Sequence, residues 1–426
     1  MRSVNHRIAV AWLIITAFAV SGCTVVSQPQ RVIGTLKLGA DLPLSGDDAP
    51  DGIPAKNAID LAIKQAGAVC GAASHQDVCV QLQAVSYDDV SQGIHDPATG
   101  AKNVQLLAGD ARVVAMVGPL YDSLARSELP VASAAQLAMV SPATTNECLT
   151  QEPPDGHCQG LRTRLRPRSP NTFFRVVATQ LDEGAAGADL AYKSLGKRRA
   201  FVINDQTSFG HGIAIGFADR FVRNGGTIVD PSDLGAFDPN QAPAFGSRMQ
   251  RAAESGTDVV YFAGSQVSAA ASLRRAMAAR MPQVPLVGSD RLANSQFAKS
   301  AGASARGTYY TVAGPHPASL RPAQAFIRDY QKQYGHEVGT YSLPAFDATK
   351  LLIAAIARAL DDAGGKLPTR EQVLAEVSKT KDYAGVMGLT SLNAEGDTTL
   401  KLFTAYQWVA PTDPAGRFAA QLTVSG

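Results

Sequence analysis

The stretch VSPATTN, Val140 to Asn146, follows an apolar run and sets Ser141, Thr144, Thr145 and Asn146 around one proline. Hydroxyls and amides in such a loop either bond to the turn's own backbone or offer donors and acceptors to a small polar solute. Ser and Asn most often do the first, so Ser141 and Asn146 are assigned to the turn. Thr144 and Thr145 are the candidates for solute contact, Thr144 being also a candidate helix cap. Acids form a second group: Asp51 in SGDDAPDG, Asp122 in GPLYDS and Asp290 in GSDR. Each could meet a cation. Asp51 could equally cap a helix beginning near Ile53, with Asp47 and Asp48 as solvated loop charges.

Motifs for catalysis do not accumulate. GHGIAIG (210–216) follows a strand and opens a helix, as a dinucleotide loop would, but its spacing is GxGxxxG and QTSFG intervenes after Asp205. An ordinary turn into a helix is the reading taken. SLGK (194–197) has the SxxK spacing of penicillin-recognising enzymes, yet it ends a predicted helix at a glycine and no KTG follows. That pattern fits a helix stop with a basic residue near the dipole. GxSxG and HExxH are absent and the seven histidines are scattered. No enzyme activity, cofactor or metal is expected.

The elements that must position these residues alternate. TLKLGADLPL (35–44), VQLQAVSYDD, VVAMVGPL and LAMVSPATT read as strands. They are separated by helical stretches at 52–67, AKNVQLLAGD and LARSELPVASAAQ. The rhythm restarts after FFRVVATQLDEG. Helices at 183–195, 212–224, 241–254 and 266–280 alternate there with RRAFVIND, GTIVDP, DVVYFAG and VPLVGSD. Strict alternation predicts an α/β fold of two doubly wound parallel-sheet lobes with a cleft between them. In such sheets ligands sit beyond the carboxyl ends of the strands, where VSPATTN, GPLYDS, FAGSQ (262–266) and GSDR all fall. Helices from Pro322 to Tyr334 and over YSLPAFDATKLLIAAIARAL follow, then antiparallel strands around the turn NAEGD.

The chain has 426 residues, 18% charged and 45% hydrophobic, with a formal net charge of +2. Charges of both signs are interleaved, which supports neither nucleic-acid binding nor a polybasic membrane surface. Arg2, His6 and Arg7 precede the apolar run Ile8–Val20, too short to span a bilayer comfortably, so 1–22 reads as a signal peptide. VSGC, ending at Cys23, resembles a bacterial lipobox. Cys23 would carry the lipid, 23–31 would be a tether, and the protein would sit on the outer face of the membrane; an ordinary cleavage site is the alternative. Four cysteines remain, for which Cys70–Cys79 and Cys148–Cys158 are the simplest of three pairings in an exported chain. Trp408 is the single tryptophan left once Trp12 departs with the leader. The sequence does not place it near the cleft.

The ordered series LKLGADLPLSG, VVAMVGPL, LAMVSPATT, FFRVV, FVINDQTSFGHG, DVVYFAG and SLPAFDATKLL resembles the branched-chain amino-acid and amide branch of the type I periplasmic binding proteins. These are solute receptors of ABC importers. The resemblance covers roughly Leu36 to Trp408. It implies two lobes joined by three crossover strands, placed here at 32–177 with 312–385 and at 178–311 with 386–426. It implies that the residues at Ala143 and Thr145 hold a ligand carboxylate through a backbone amide and a hydroxyl. Asp122 stands where the family has a serine, with Ser123 beside it. Asp290 matches the acid that meets the ligand ammonium. Asp51, Phe209 and Ser265 stand where the family often has aromatics, and Tyr341 where an aromatic wall is usual.

Like charges about 4 Å apart cost about 4 kcal/mol at an effective dielectric near 20, more than the 1.5–3 kcal/mol of one charged hydrogen bond. An inward, ionised Asp122 would therefore disfavour a plain α-amino acid. The expectation is a small polar ligand, with a cationic or hydroxyl-rich one preferred over leucine unless Arg291 neutralises an acid. The expected partner is an ABC permease and the expected state a monomer. A sensory receptor for a membrane signalling partner is the alternative, and a small-molecule hydrolase a remote one.

Overall fold

The computed structural model describes residues 29–153, 156–166, 170–231, 234–238, 245–316, 319–412 and 416–424. The apolar leader and Cys23 lie outside them. Among the described residues no helix is long and apolar enough to cross a membrane.

Two sheets organise the chain. The first has the strand order Ala68–Cys70, Val78–Asp88, Arg31–Leu42, Val113–Val117, Ala138–Ser141, Phe173–Arg175. Only its first pair is antiparallel. The second runs Thr227–Val229, Arg199–Asn204, Val259–Ala263, Leu286–Gly288, Thr308–Ala313, Leu402–Trp408, Arg417–Thr423, parallel up to Thr308–Ala313 and antiparallel after it. The central strands VVAMV and VVYFA are buried along their whole length, as parallel strands covered on both faces must be. In lobe 1 the helices Ala49–Ala66, Arg321–Tyr334, Ser342–Asp362 and Arg370–Ser378 cover one face. Pro97–Gly109 and Asp122–Ala134 cover the other. In lobe 2 the helices Gln180–Asp189 and Ser208–Arg223 lie on one face and Phe245–Glu254, Val267–Arg280 and Ser295–Ala301 on the other.

The chain passes between lobes three times: after Phe173–Arg175, after Thr308–Ala313, and before Leu402–Trp408. At the third passage the buried carboxylate of Asp347, on the long helix Ser342–Asp362, accepts the N–H groups of Val386 (2.7 Å) and Met387 (2.9 Å). Both expected disulfides form, and Cys70 and Cys79 are direct partners across the one antiparallel pair of the first sheet.

Three elements depart from the sequence reading. The helix Arg370–Ser378 was not anticipated, although Thr369 and Gln372 make a reciprocal capping box at its start. The NAEGD turn carries only an isolated bridge between Leu392 and Thr398, and the strand pair in that region joins Tyr383–Ala384 to Leu389–Thr390. The last strand, Arg417–Thr423, is a mostly exposed edge without the apolar alternation that would have marked it.

The glycines of GHGIAIG serve packing. A Cβ at Gly216 would stand 2.2 Å from the Leu181 carbonyl oxygen, and one at Gly184 2.2 Å from that of Ile213. Helices Gln180–Asp189 and Ser208–Arg223 touch backbone to backbone, which only glycine permits.

Beneath the cleft side of lobe 1 lie three fully buried acids, Asp41, Asp89 and Glu128. Asn103 donates to Asp41 at 2.7 Å, Glu128 is close enough to Asp41 for the two carboxyls to share a hydrogen bond, and both oxygens of Asp89 lack a partner among the described residues. Burial, with Asp41, Asp88 and Asp48 nearby, pushes Asp89 up to about 8, and burial pushes Asp41 up to about 7. A carboxyl whose folded pKa is raised holds its proton more tightly when folded, so its stability contribution is complete below the usual carboxylate range and lost as pH climbs through the raised value. Wild-type stability should therefore fall between about pH 4 and pH 8. In urea titrations Asp89→Asn should flatten that fall, gaining about 1–3 kcal/mol at pH 8 and little at pH 4.

Candidate ligand-binding cleft

The site grows from the carboxyl ends of the strands in both sheets. In lobe 1 the strand Val113–Val117 ends at Gly118, whose φ of +123° and 2.6 Å distance from a would-be Cβ to the Asp41 carbonyl oxygen admit only glycine. The chain then turns into the helix Asp122–Ala134. The neighbouring strand ends at Ser141, a buried hydroxyl that donates to the Pro119 carbonyl at 2.8 Å. It also accepts from the N–H groups of Ala143 (3.2 Å) and Thr144 (2.9 Å) and from the Thr144 hydroxyl (2.8 Å). Ser141 is thus the turn residue the sequence indicated.

Thr144 does not face the cleft. It is 1% exposed and its hydroxyl is spent on Ser141, because the tight turn folds that side chain inward. Thr145 is half-buried, its carbonyl accepts from Gln180 N–H at 2.8 Å, and its hydroxyl has no partner among the described residues. Ala143 is half-buried with its amide directed to Ser141. Asn146 does more than hold a turn. Its side chain accepts from Cys148 N–H at 2.8 Å and donates across the cleft to the Ser208 hydroxyl at 2.7 Å.

Arg175 fixes this loop from behind. Its guanidinium is fully buried and donates to the carbonyls of Thr144 (3.1 Å) and Asn146 (2.9 Å), to the Thr150 hydroxyl, and to Asp397 at 2.7 Å. Asp397 also accepts from Thr150 and Gln151, which with Arg175 hold its carboxyl below the usual range against the cost of burial. The loop continues into Glu147, Cys148, His157 and Cys158, whose potential ligand atoms lie within 4.8 Å of one another. The disulfide consumes both thiols, and His157 pairs with the buried Glu147 at 2.7 Å.

The acids do not behave alike. Asp51 is not an N-cap: the helix begins at Ala49, and Asp51 accepts from the Tyr121 hydroxyl at 2.9 Å. Burial raises its pKa, partly opposed by that bond and by Arg291. Asp48 is no free loop charge either, since it accepts from His95 N–H (3.0 Å) and pairs with His95 Nδ1 (2.8 Å). The His95 ring stacks on Tyr121, centroids 3.9 Å apart, which completes a chain from Asp48 to Asp51. Asp122 accepts from Asn146 N–H at 3.2 Å. Burial raises its pKa, while that bond and the charges of Arg175, Arg291 and Arg126 pull it down. Ser123, beside it, is exposed.

In lobe 2 Asp205 is buried and gathers two strand ends, accepting from the Thr207 hydroxyl and from both the N–H (2.7 Å) and hydroxyl (2.9 Å) of Ser265. Ser265 is exposed, with its hydroxyl committed to Asp205. The turn Asp290–Leu292 is held from three sides. Asp290 N–H donates to Glu183 at 2.8 Å, Ser289 accepts from Arg291 N–H at 3.4 Å, and the indole of the buried Trp408 donates to the Leu292 carbonyl at 2.9 Å. Trp408 therefore abuts the turn that carries Asp290.

Arg291 is the centre of the arrangement. Its guanidinium lies 3.9 Å from Asp290 and over the ring of Phe209, 5.0 Å from the centroid. Asp290, Tyr341, Glu183 and Asp122 all act on it and hold its pKa up, Asp290 most. Burial raises the Tyr341 phenol, with Asp290 and Asp51 adding to the effect and Arg291 opposing it. Burial likewise holds Glu183, 3% exposed, well above the usual carboxylate range, and Asp290 adds to this. Thus Asp51, Asp122 and Tyr341 of lobe 1 share one electrostatic neighbourhood with Asp290, Arg291, Glu183 and Phe209 of lobe 2. Tyr121, Glu183 and Ser208 were not singled out from sequence. Tyr121 stood inside GPLYDS, but Glu183 read as an ordinary position of a helical segment.

The chain belongs to the family described as Periplasmic binding protein, whose profile matches residues 35–413. It is similar to the Leu/Ile/Val-binding protein homolog 2 of Brucella abortus (strain 2308), 21% identical over 388 residues, 91% of this chain and 94% of that one. Its fold is similar to that of the leucine-binding protein LivK of Thermotoga maritima MSB8 at a TM-score of 0.67 and 22% identity, covering 91% of this chain and 99% of that one. It is also similar to that of an ABC-transporter solute-binding protein of R. palustris solved with benzoate, TM-score 0.62 and 19% identity over 92% of this chain and 98% of that one. The family and these relatives are binding proteins, not enzymes.

Removing one partner of a buried ion pair strands the other charge. Arg175→Met or Asp397→Asn should each lower stability by about 3–5 kcal/mol in urea titrations, and the double variant by less than their sum.

Proposed function

We propose that the protein is the solute-binding component of an ABC importer and that it takes an α-amino acid or a closely related zwitterion between its lobes. The observation that carries this reading is Arg291, a cation set among acids from both lobes. A cleft with only Asp51, Asp122 and Asp290 would favour a cation or polyol. Arg291 offsets Asp290, and Asp122 is committed to the Asn146 amide, so the repulsion expected from sequence is reduced. In this reading the ligand's carboxylate meets Arg291 and the Thr145 hydroxyl, and its ammonium meets Asp290 and Asp51. Phe209 and Tyr341 wall the side-chain end. Ala143 contributes its amide once the loop adjusts to ligand.

The lobes, taken as 32–177 with 312–385 and 178–311 with 386–426, close on the ligand by bending at the three passages. Export behind the 1–22 leader and lipid attachment at Cys23 would hold the receptor beside its permease as a monomer. The names of the Brucella and Thermotoga relatives support the amino-acid reading, and the benzoate-bound relative supports a carboxylate as its common element.

The test is a thermal-shift panel of branched-chain, basic and aromatic amino acids, polyamines, benzoate and sugars on the mature protein lacking its lipid. An amino acid should stabilise, by about 2.7 kcal/mol at a hundred times its dissociation constant. A response to polyamines or sugars alone would overturn the reading. Arg291→Gln should weaken the amino acid by at least tenfold, as loss of a charged hydrogen bond worth about 1.5–3 kcal/mol requires, without lowering the ligand-free Tm. Quenching of Trp408 gives an independent readout of the same turn.

A further inference from the structure

The amino ends of the lobe 2 strands, on the edge of the sheet opposite the cleft, border an open cavity of about 580 Å³. Three cations line it, each from a separate segment. Lys197 precedes the strand Arg199–Asn204, Arg274 projects from the helix Val267–Arg280, and Arg306 precedes the strand Thr308–Ala313. No Asp or Glu lines the cavity among the described residues, and none of the three cations makes an ion pair there.

Arg274 is the telling member. It is 4% exposed, so its charge has lost most of its water. One donor, Nη2, is used on the Arg306 carbonyl at 2.8 Å, while Nε and Nη1 have no acceptor. A buried guanidinium normally fills its donors with carboxylate, because an unpaired buried charge is strongly unfavourable. Its pKa is depressed by burial alone, with no acid near enough to oppose this. Leu195, Val284 and Tyr309 give the rest of the wall an apolar character.

We propose that this cavity is a second ligand site, distinct from the cleft, that takes a small organic anion: a phosphate or carboxylate group among Lys197, Arg274 and Arg306, with a partly apolar body against Leu195, Val284 and Tyr309. The anion is drawn by the unneutralised charge of Arg274 behind the wall and bonds to the Lys197 and Arg306 side chains that line the cavity. The same chemistry is presented by a free phosphate monoester and by the headgroup of an anionic lipid.

Thermal-shift titrations with inorganic phosphate and glycerol 3-phosphate at constant ionic strength, and co-sedimentation with phosphatidylglycerol against phosphatidylcholine vesicles, test the site. Wild type, Lys197→Gln/Arg306→Gln and Arg291→Gln are compared. The double variant changes two side chains at the cavity rim and leaves buried Arg274 in place, so it should fold. The expected result is a saturable rise in Tm with glycerol 3-phosphate, or selective pelleting with phosphatidylglycerol. The midpoint should move at least about tenfold in the double variant and stay unchanged in Arg291→Gln. A Tm rise assigns the site to a free anion, and pelleting alone to a lipid headgroup. No saturable response to any probe overturns the proposal. So does an equal response in the double variant, which would mark general salt stabilisation, and so does loss of response in Arg291→Gln, which would place the anion in the cleft.

Discussion

The guanidinium of Arg175 is the constraint on which the cleft depends. It is a charge taken wholly out of water, so its donors must be met inside the protein, and they are met by two pieces of chain far apart in sequence. Two carbonyls belong to the loop that carries Thr145, and the carboxylate belongs to Asp397, in the segment leading to the third passage between lobes. The loop that carries Thr145 and the segment that carries Asp397 therefore cannot be repositioned independently. A bend at the hinge that displaced Asp397 would draw the loop with it or leave a buried charge unpaired. Asp347 plays a smaller part of the same kind, holding Val386 and Met387 to the long helix of lobe 1.

On that frame the cleft is an exercise in shared charge. Four acids and one arginine lie close enough for each charge to act on the others. Arg291 lowers the cost of ionising Asp51 and Asp122 in one lobe while lying beside Asp290 in the other. Approach of the lobes is thus favoured by attraction as well as by the bond from Asn146 to Ser208. Phe209 lies under the guanidinium of Arg291, a cation–π contact that favours its place at the lobe 2 wall.

The fold was legible because parallel strands covered on both faces must be apolar throughout, and VVAMV and VVYFA announce themselves in that way. The positions of VSPATTN, GPLYDS and GSDR followed from strand ends alone. What a loop side chain does was harder to read, because direction there is set by tertiary bonds. Thr144 and Thr145 are adjacent and chemically identical, yet one is folded under Ser141 and the other has a free hydroxyl. The cap alternative for Asp51 arose because the start of its helix was placed four residues late. Glu183 was illegible: nothing in LDEG distinguishes a buried acid holding the Asp290 amide from a solvated one. The use of the GHGIAIG glycines in packing two helices needed the partner helix to be seen.

The bridge between Cys148 and Cys158 has a consequence for folding. It closes the loop that begins two residues after Asn146, so oxidation of the thiols adds a covalent tie to a segment otherwise held by the bonds of Thr150, Gln151 and His157. With the thiols reduced, the chain between Cys148 and Cys158 keeps those bonds but loses the covalent closure, so its unfolded form has more conformational freedom to give up on folding.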